Sequence, residues 1–135
     1  MCIRDSTGTG NETRDFTYVL DLVQGLIKAA FYDKAVGQAF NLASGKETKI
    51  KDMIKMVNSA TNNKTPVEHY PARKWDTKKR LLASIELAGK IIDYKPTTKF
   101  EVGLQSNMEW FKLNWDRIQE AADFPIGMSS AVRKK

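Results

Sequence analysis

An arginine at the mouth of a strand, with a helix to follow, is placed to fork onto a phosphate or a carboxylate. Arg14 occupies such a position, next to Asp15 and ahead of Asp21. The competing reading is an exposed arginine paired with one of those two aspartates. A second cluster lies at 73–80, RKWDTKKR, where five basic side chains surround Trp75 and Asp76. One chemistry for it is a phosphate clamp, with Arg73 on a diphosphate and Asp76 accepting from a sugar hydroxyl. Another is a nucleic-acid patch with Trp75 as a stacking platform. An arbitrary charge run is most often a solvated loop, and that reading stands beside both.

Two other spacings mimic active sites. Gly8-Thr9-Gly10-Asn11-Glu12-Thr13 follows G-x-G-x-x-G up to its last position, where threonine replaces glycine. No predicted strand precedes it and no capped helix follows at once, so it does not read as a dinucleotide loop. Tyr70 and Lys74 have a Tyr-x-x-x-Lys spacing. That pair works when a helix stacks both side chains and the ammonium lowers the phenol pKa. Pro71 lies between them in a stretch that reads as loop, so the match is coincidental. His69 is the one histidine and Cys2 the one cysteine. A disulfide framework and a cysteine- or histidine-rich metal cage are thereby excluded, and no metal site is expected.

The elements that must position these residues follow from periodicity. The chain has 135 residues, 41% apolar and 28% charged, which is one soluble globular domain's worth. The net charge of +6 favours an anionic partner without choosing one. No stretch approaches the roughly 18 apolar residues of a membrane span. Residues 7–12 read as loop and 13–19 as a short strand. A helix over 21–32 follows, with Val19, Val23, Leu26, Ile27, Ala30 and Phe31 on one face. Residues 38–42 read as a second strand, ended by a turn at Ser44-Gly45. Thr48 is the predicted N-cap of a helix over 49–61, with Ile50, Met53, Ile54, Val57 and Ala60 inward. Residues 67–70 read as a third strand and 71–82 as irregular. A short helix over 84–92 is stopped by Pro96. Thr98-x-x-Glu101 is a capping box for one long amphipathic helix, whose apolar line runs Phe100, Leu104, Met108, Phe111, Trp115, Ile118, Ala122.

Residues 1–6, MCIRDS, have neither the apolar region of a secretory signal nor the periodicity of an element. They read as a non-native or disordered leader, ahead of a domain over 7–122 and a flexible basic tail over 123–135.

Five blocks, in order, resemble one family. Gly10-x-x-Thr13-Arg14-Asp15-Phe16-Thr17-Tyr18-Val19-x-Asp21 resembles the G-x-x-x-T-R-D-F-x-Y-V-x-D segment of the extended short-chain dehydrogenases, the nucleotide-sugar epimerases and dehydratases. Phe40-Asn41-Leu42-Ala43-Ser44-Gly45-Lys46-Glu47-Thr48 is similar to their F-N-x-G-S-G-x-x-x strand and turn, with Ala43 for glycine. Arg73-Lys74-Trp75-Asp76 falls where the family carries R-P-G-D. Residues 83–96 resemble the A-D-x-S-K-A…L-G-Y-x-P block, and 101–111 the E-G-L…W-F helix.

The resemblance, closest to UDP-glucose 4-epimerase-like members, implies an α/β fold of about four helices with two or three short strands. It implies that the chain is the small C-terminal substrate-binding domain, with the NAD-binding Rossmann domain missing. The implied function is nucleotide-diphosphate-sugar binding in an NAD-dependent epimerase or dehydratase, with the catalytic Tyr-x-x-x-Lys outside this chain and the chain alone inactive. Arg14 and Arg73 are implied to reach the diphosphate and Asp76 to lie near the ribose, while Asp21 orders a helix start. Because Lys74-Trp75 replaces Pro-Gly, Arg80 is an alternative to Arg73. A cytoplasmic, homodimeric full-length enzyme is implied, with no membrane partner. The alternative function is a basic nucleic-acid-binding module using the Arg73–Arg80 loop.

Overall fold

The computed structural model describes residues 5–64, 66–75 and 77–122. Residues 1–4, Asp76 and the 123–135 tail, on which three of the expectations above fall, lie outside the described residues. The chain divides into two compact units, Met1–Gly103 and Leu104–Lys135. The fold is α/β, with five α-helices and four short strands among the described residues: β1 (Asp5–Thr7), β2 (Thr13–Arg14), α1 (Val19–Phe31), β3 (Thr48–Lys49), α2 (Ile50–Ala60), β4 (Glu68–Tyr70), α3 (Glu86–Ile92), α4 (Phe100–Leu113) and α5 (Trp115–Ala122).

The strands form two small ladders. β1 pairs parallel with β4, in register Asp5 to Glu68, Ser6 to His69 and Thr7 to Tyr70. Asp5 and Ser6, set aside in the sequence as leader, thus join a ladder, and Ser6 is buried. Ladder bonds are made by backbone groups, so a segment needs no apolar periodicity to enter one. β2 pairs antiparallel with β3, Thr13 opposite Lys49 and Arg14 opposite Thr48. Residues 38–42, expected as a strand, have no ladder partner among the described residues.

The core of the first unit is Ala88, Ile92 and Tyr94, packed by Ala29, Phe40, Leu42 and Ile85. Burial pushes the Tyr94 phenol pKa up, with the Asp21 and Asp15 carboxylates adding to it. Its hydroxyl donates to Ala43 O at 3.1 Å, which satisfies a polar group that burial would otherwise penalise. α1 reaches this core through Gly25: a Cβ there would sit 2.8 Å from Leu42 and 2.9 Å from Tyr94. This close approach decides which side of α1 is buried. Gly25 and Asp21 are its buried residues, while the apolar face of Val19, Leu26, Ile27 and Phe31 is exposed, Phe31 at 82%.

Helix ends also depart from the local signals. Thr48 does not cap α2. The first amides of that helix donate instead to loop carbonyls, Ile50 N to Glu12 O and Lys51 N to Gly10 O, both at 2.9 Å. These bonds satisfy donors a threonine side chain would otherwise serve. α3 ends at Ile92 because Asp93 turns left-handed at φ +50°, three residues before Pro96. The expected long helix is divided at Asn114, whose side-chain amide donates to Trp110 O at 2.8 Å. An asparagine that bonds a nearby carbonyl in this way competes with regular helix geometry.

Candidate functional site

The candidate site centres on three consecutive residues, Thr13, Arg14 and Asp15. Thr13 is held on every side. Its N–H donates to Lys79 O at 2.9 Å, and its carbonyl accepts Leu81 N at 3.1 Å. These bonds make a parallel bridge between Thr13 and Arg80, on the edge of β2 away from β3. The Thr13 hydroxyl donates to Glu47 Oε1 at 2.7 Å. Glu47 also accepts a two-pronged contact from Arg80, Nε to Oε1 at 2.7 Å and Nη2 to Oε2 at 2.8 Å.

The Arg80 guanidinium, helped by the Thr13 hydroxyl, holds the Glu47 carboxyl at a pKa of about 2. Glu47 in turn raises the Arg80 pKa. A carboxyl whose folded pKa is depressed stabilises the fold fully above its unfolded value and loses that contribution as pH falls through the folded one. The Glu47 contribution is therefore present above about 4.5 and lost progressively down to about 2. A carbon-detected NMR titration of the Glu47 carboxyl checks this: the expected midpoint is near 2 in the parent and returns toward 4.5 in Arg80→Ala. A midpoint unchanged by Arg80→Ala would show that the pair does not form in solution.

Asp15 is fixed differently. Its Oδ1 accepts Ser44 N at 2.9 Å and Ser44 Oγ at 2.5 Å, and its Oδ2 accepts Gly45 N at 3.0 Å and Ala83 N at 3.4 Å. Asp21 sits in the first turn of α1, where the helix dipole favours a carboxylate. It also reaches across the chain, accepting Thr98 N at 3.0 Å and Thr97 N at 3.3 Å. The Thr98 amide expected to take part in a local capping box with Glu101 is thus served by a distant aspartate.

Arg14 lies half-buried between these two anchored neighbours, and its Nη1 donates to Thr13 O at 2.8 Å. Strand alternation sends its side chain to the face of β2 opposite Thr13 and Arg80. The predicted basic residues are therefore divided. Arg14 is built into β2, and the Nε–Nη2 edge of Arg80 is engaged by Glu47. Arg73 is exposed in the segment after β4, beside a turn at Lys74-Trp75 whose indole is 78% exposed. Sequence reasoning missed the roles of Glu47 and of the Ser44-Gly45 amides. The only signal for them was their place in the F-N-x-G-S-G-like block, which names positions and not partners.

Neither of the two spacings that mimic an NAD site has the geometry of one. In the Gly8–Thr13 stretch two carbonyls, Gly10 O and Glu12 O, are turned toward the α2 amides, whereas a dinucleotide loop must present amides to a pyrophosphate. Tyr70 lies in β4 with its hydroxyl donating to Glu68 Oε2 at 2.9 Å, and Lys74 lies in a turn, so no helix stacks them. Among the described residues there is no group of three or more His, Cys, Asp or Glu able to hold a metal, and no helix is long and apolar enough to cross a membrane.

The same fold is found in solved enzymes. An epimerase from Methanothermobacter thermautotrophicus superposes with a TM-score of 0.84 and 42% identity, over 89% of this chain and 36% of that one. In sequence and in fold, the chain matches the C-terminal part of extended short-chain dehydrogenases. UDP-glucuronic acid 4-epimerase from Bacillus cereus, in complex with UDP-glucuronic acid and NAD, superposes with a TM-score of 0.73 and 25% identity, over 81% of this chain and 35% of that one. A UDP-glucuronate 4-epimerase from Thermodesulfobacterium geofontis is 31% identical over 114 residues, 83% of this chain and 34% of that protein. The chain spans about a third of the length of the relatives it matches. No protein-family profile matches it.

Proposed function

We propose that this chain is the nucleotide-sugar-binding part of a cytoplasmic NAD-dependent UDP-sugar epimerase or dehydratase, and that it is catalytically inactive alone. The observation that carries the reading is the likeness, at a TM-score of 0.84 and 42% identity, to about a third of an epimerase. In this reading Arg14 and Arg73 take the diphosphate through charge-assisted hydrogen bonds, and Asp76 accepts from the ribose. NAD and the proton-transferring residues belong to the remaining two-thirds of the enzyme. That Rossmann domain covers the exposed apolar face of α1, because an uncovered stripe of Val19, Leu26, Ile27 and Phe31 is what a helix shows when its packing partner is absent.

The test is calorimetric titration of the purified chain with UDP, together with a coupled assay for interconversion of UDP-sugars in the presence of NAD. Saturable UDP binding with a shallow salt dependence, and no interconversion, is the expected result. Turnover by the pure chain would refute the assignment of chemistry to the missing part. Binding that collapses steeply with salt, and that oligonucleotides outcompete, would point to the basic nucleic-acid module instead.

A further inference from the structure

Residues 13–15 are gripped by two separate segments of the chain. From one side come Ser44 and Gly45, on Asp15, and Glu47, on Thr13. From the other come Lys79 and Leu81, on the Thr13 backbone, and Ala83, on Asp15. Arg80 joins the two segments through its two-pronged contact with Glu47. Within that contact Glu47 is the more enclosed partner, its side chain 27% exposed against 68% for Arg80. The carboxylate is thus a fixed post to which a freer guanidinium is tied.

An exposed ion pair on its own contributes little. This one differs in geometry, since Glu47 accepts three donors, and one of them is the side chain of the residue next to Arg14. Arg14 bonds back to the carbonyl of that same residue. Any rotation of the Thr13 peptide therefore turns the Arg14 guanidinium with it.

We propose that Glu47 and Arg80 are positioning residues for Arg14, acting through Thr13 to fix the direction in which its guanidinium meets an anionic ligand. This rests on the reading above that Arg14 binds the diphosphate. It makes Arg80 a brace, with the opposite edge of its guanidinium left outside the Glu47 contact.

The experiment is UDP titration of the full chain in the parent, Arg14→Ala, Glu47→Gln, Arg80→Lys and the double variant Arg14→Ala/Glu47→Gln, each held well below its measured melting temperature. Glu47→Gln is expected to weaken UDP binding by about threefold to tenfold, the range of coupling between residues in one hydrogen-bonded network. Arg80→Lys, which keeps the charge but loses the fork, is expected to give a smaller loss. In the Arg14→Ala background Glu47→Gln is expected to change UDP affinity no further, which a merely structural role would not produce. The Arg14 Nε–H resonance is expected to shift in Glu47→Gln without any ligand present.

If Arg14→Ala weakens binding while Glu47→Gln and Arg80→Lys do not, the positioning role is overturned and the diphosphate reading survives. If the Glu47→Gln loss persists in the Arg14→Ala background, Glu47 acts elsewhere and the proposal is likewise overturned. If Arg14→Ala itself binds UDP like the parent, the diphosphate reading fails, and a Glu47-dependent shift of the Arg14 resonance would then mark the brace as structural only. Should Glu47→Gln fail to fold, the Arg80→Lys series decides the same question.

Discussion

Asp15→Ala is expected to lower the stability of the chain by about 3–4 kcal/mol. One carboxylate serves Ser44 N, Ser44 Oγ, Gly45 N and Ala83 N, and all four contacts are part-buried. Hydrogen bonds to a charged acceptor are worth about 1.5–3 kcal/mol each, and they do not add when they share one acceptor. Truncation also leaves three backbone amides without the partner that compensates for their burial. Domains of this size have about 5–15 kcal/mol in total, so the variant sits near the folding threshold. Asp15→Asn keeps one acceptor oxygen and loses the charge, and about half the penalty is expected. Urea denaturation of the three proteins measures both. A midpoint for Asp15→Ala that coincides with the parent would show that the 13–15 segment is not anchored as described.

Arg14→Ala and Arg73→Ala are each expected to weaken UDP binding by about tenfold to a hundredfold, the effect of losing a charge-assisted hydrogen bond to a phosphate. Lysine at either position should restore part of the loss, because a point charge replaces the attraction but not the planar fork. The two arginines are expected to differ in their effect on stability. Arg14 is half-buried within β2, so its removal should also lower the melting temperature. Arg73 is exposed, so its removal should leave the fold unchanged. Arg80→Ala completes the series, with a loss smaller than that of Arg14→Ala because Arg80 acts through Thr13. A larger loss at Arg80 than at Arg73 would place the diphosphate contact further along the basic loop, as the Lys74-Trp75 departure from Pro-Gly allows. Binding indistinguishable from the parent in all three variants would leave Arg73 as solvated surface and Arg14 and Arg80 as structural residues.

Much of this molecule is written locally. The 3.6-residue recurrence of apolar side chains marks α1 and α2 to within two residues at each end, because a helix face is made by residues three and four apart. The Thr13-Arg14-Asp15 block and the Phe40–Gly45 block identify the relatives for a similar reason, since each is a short run whose residue order is visible at a glance. Tertiary structure alone decided the partners. Asp15 meets Ser44 at 29 positions' separation and Ala83 at 68, Glu47 meets Arg80 at 33, and Asp21 meets Thr98 at 77. Sequence inspection pairs a charged residue with its neighbours, so it offered Asp15 and Asp21 to Arg14. The fold brings both carboxylates backbone amides from distant segments. The same path of the chain let loop carbonyls take over the cap expected of Thr48, and turned Gly25 rather than the apolar stripe of α1 toward Tyr94. Periodicity determines that a helix has an apolar face. What that face packs against depends on which parts of the chain are present to cover it.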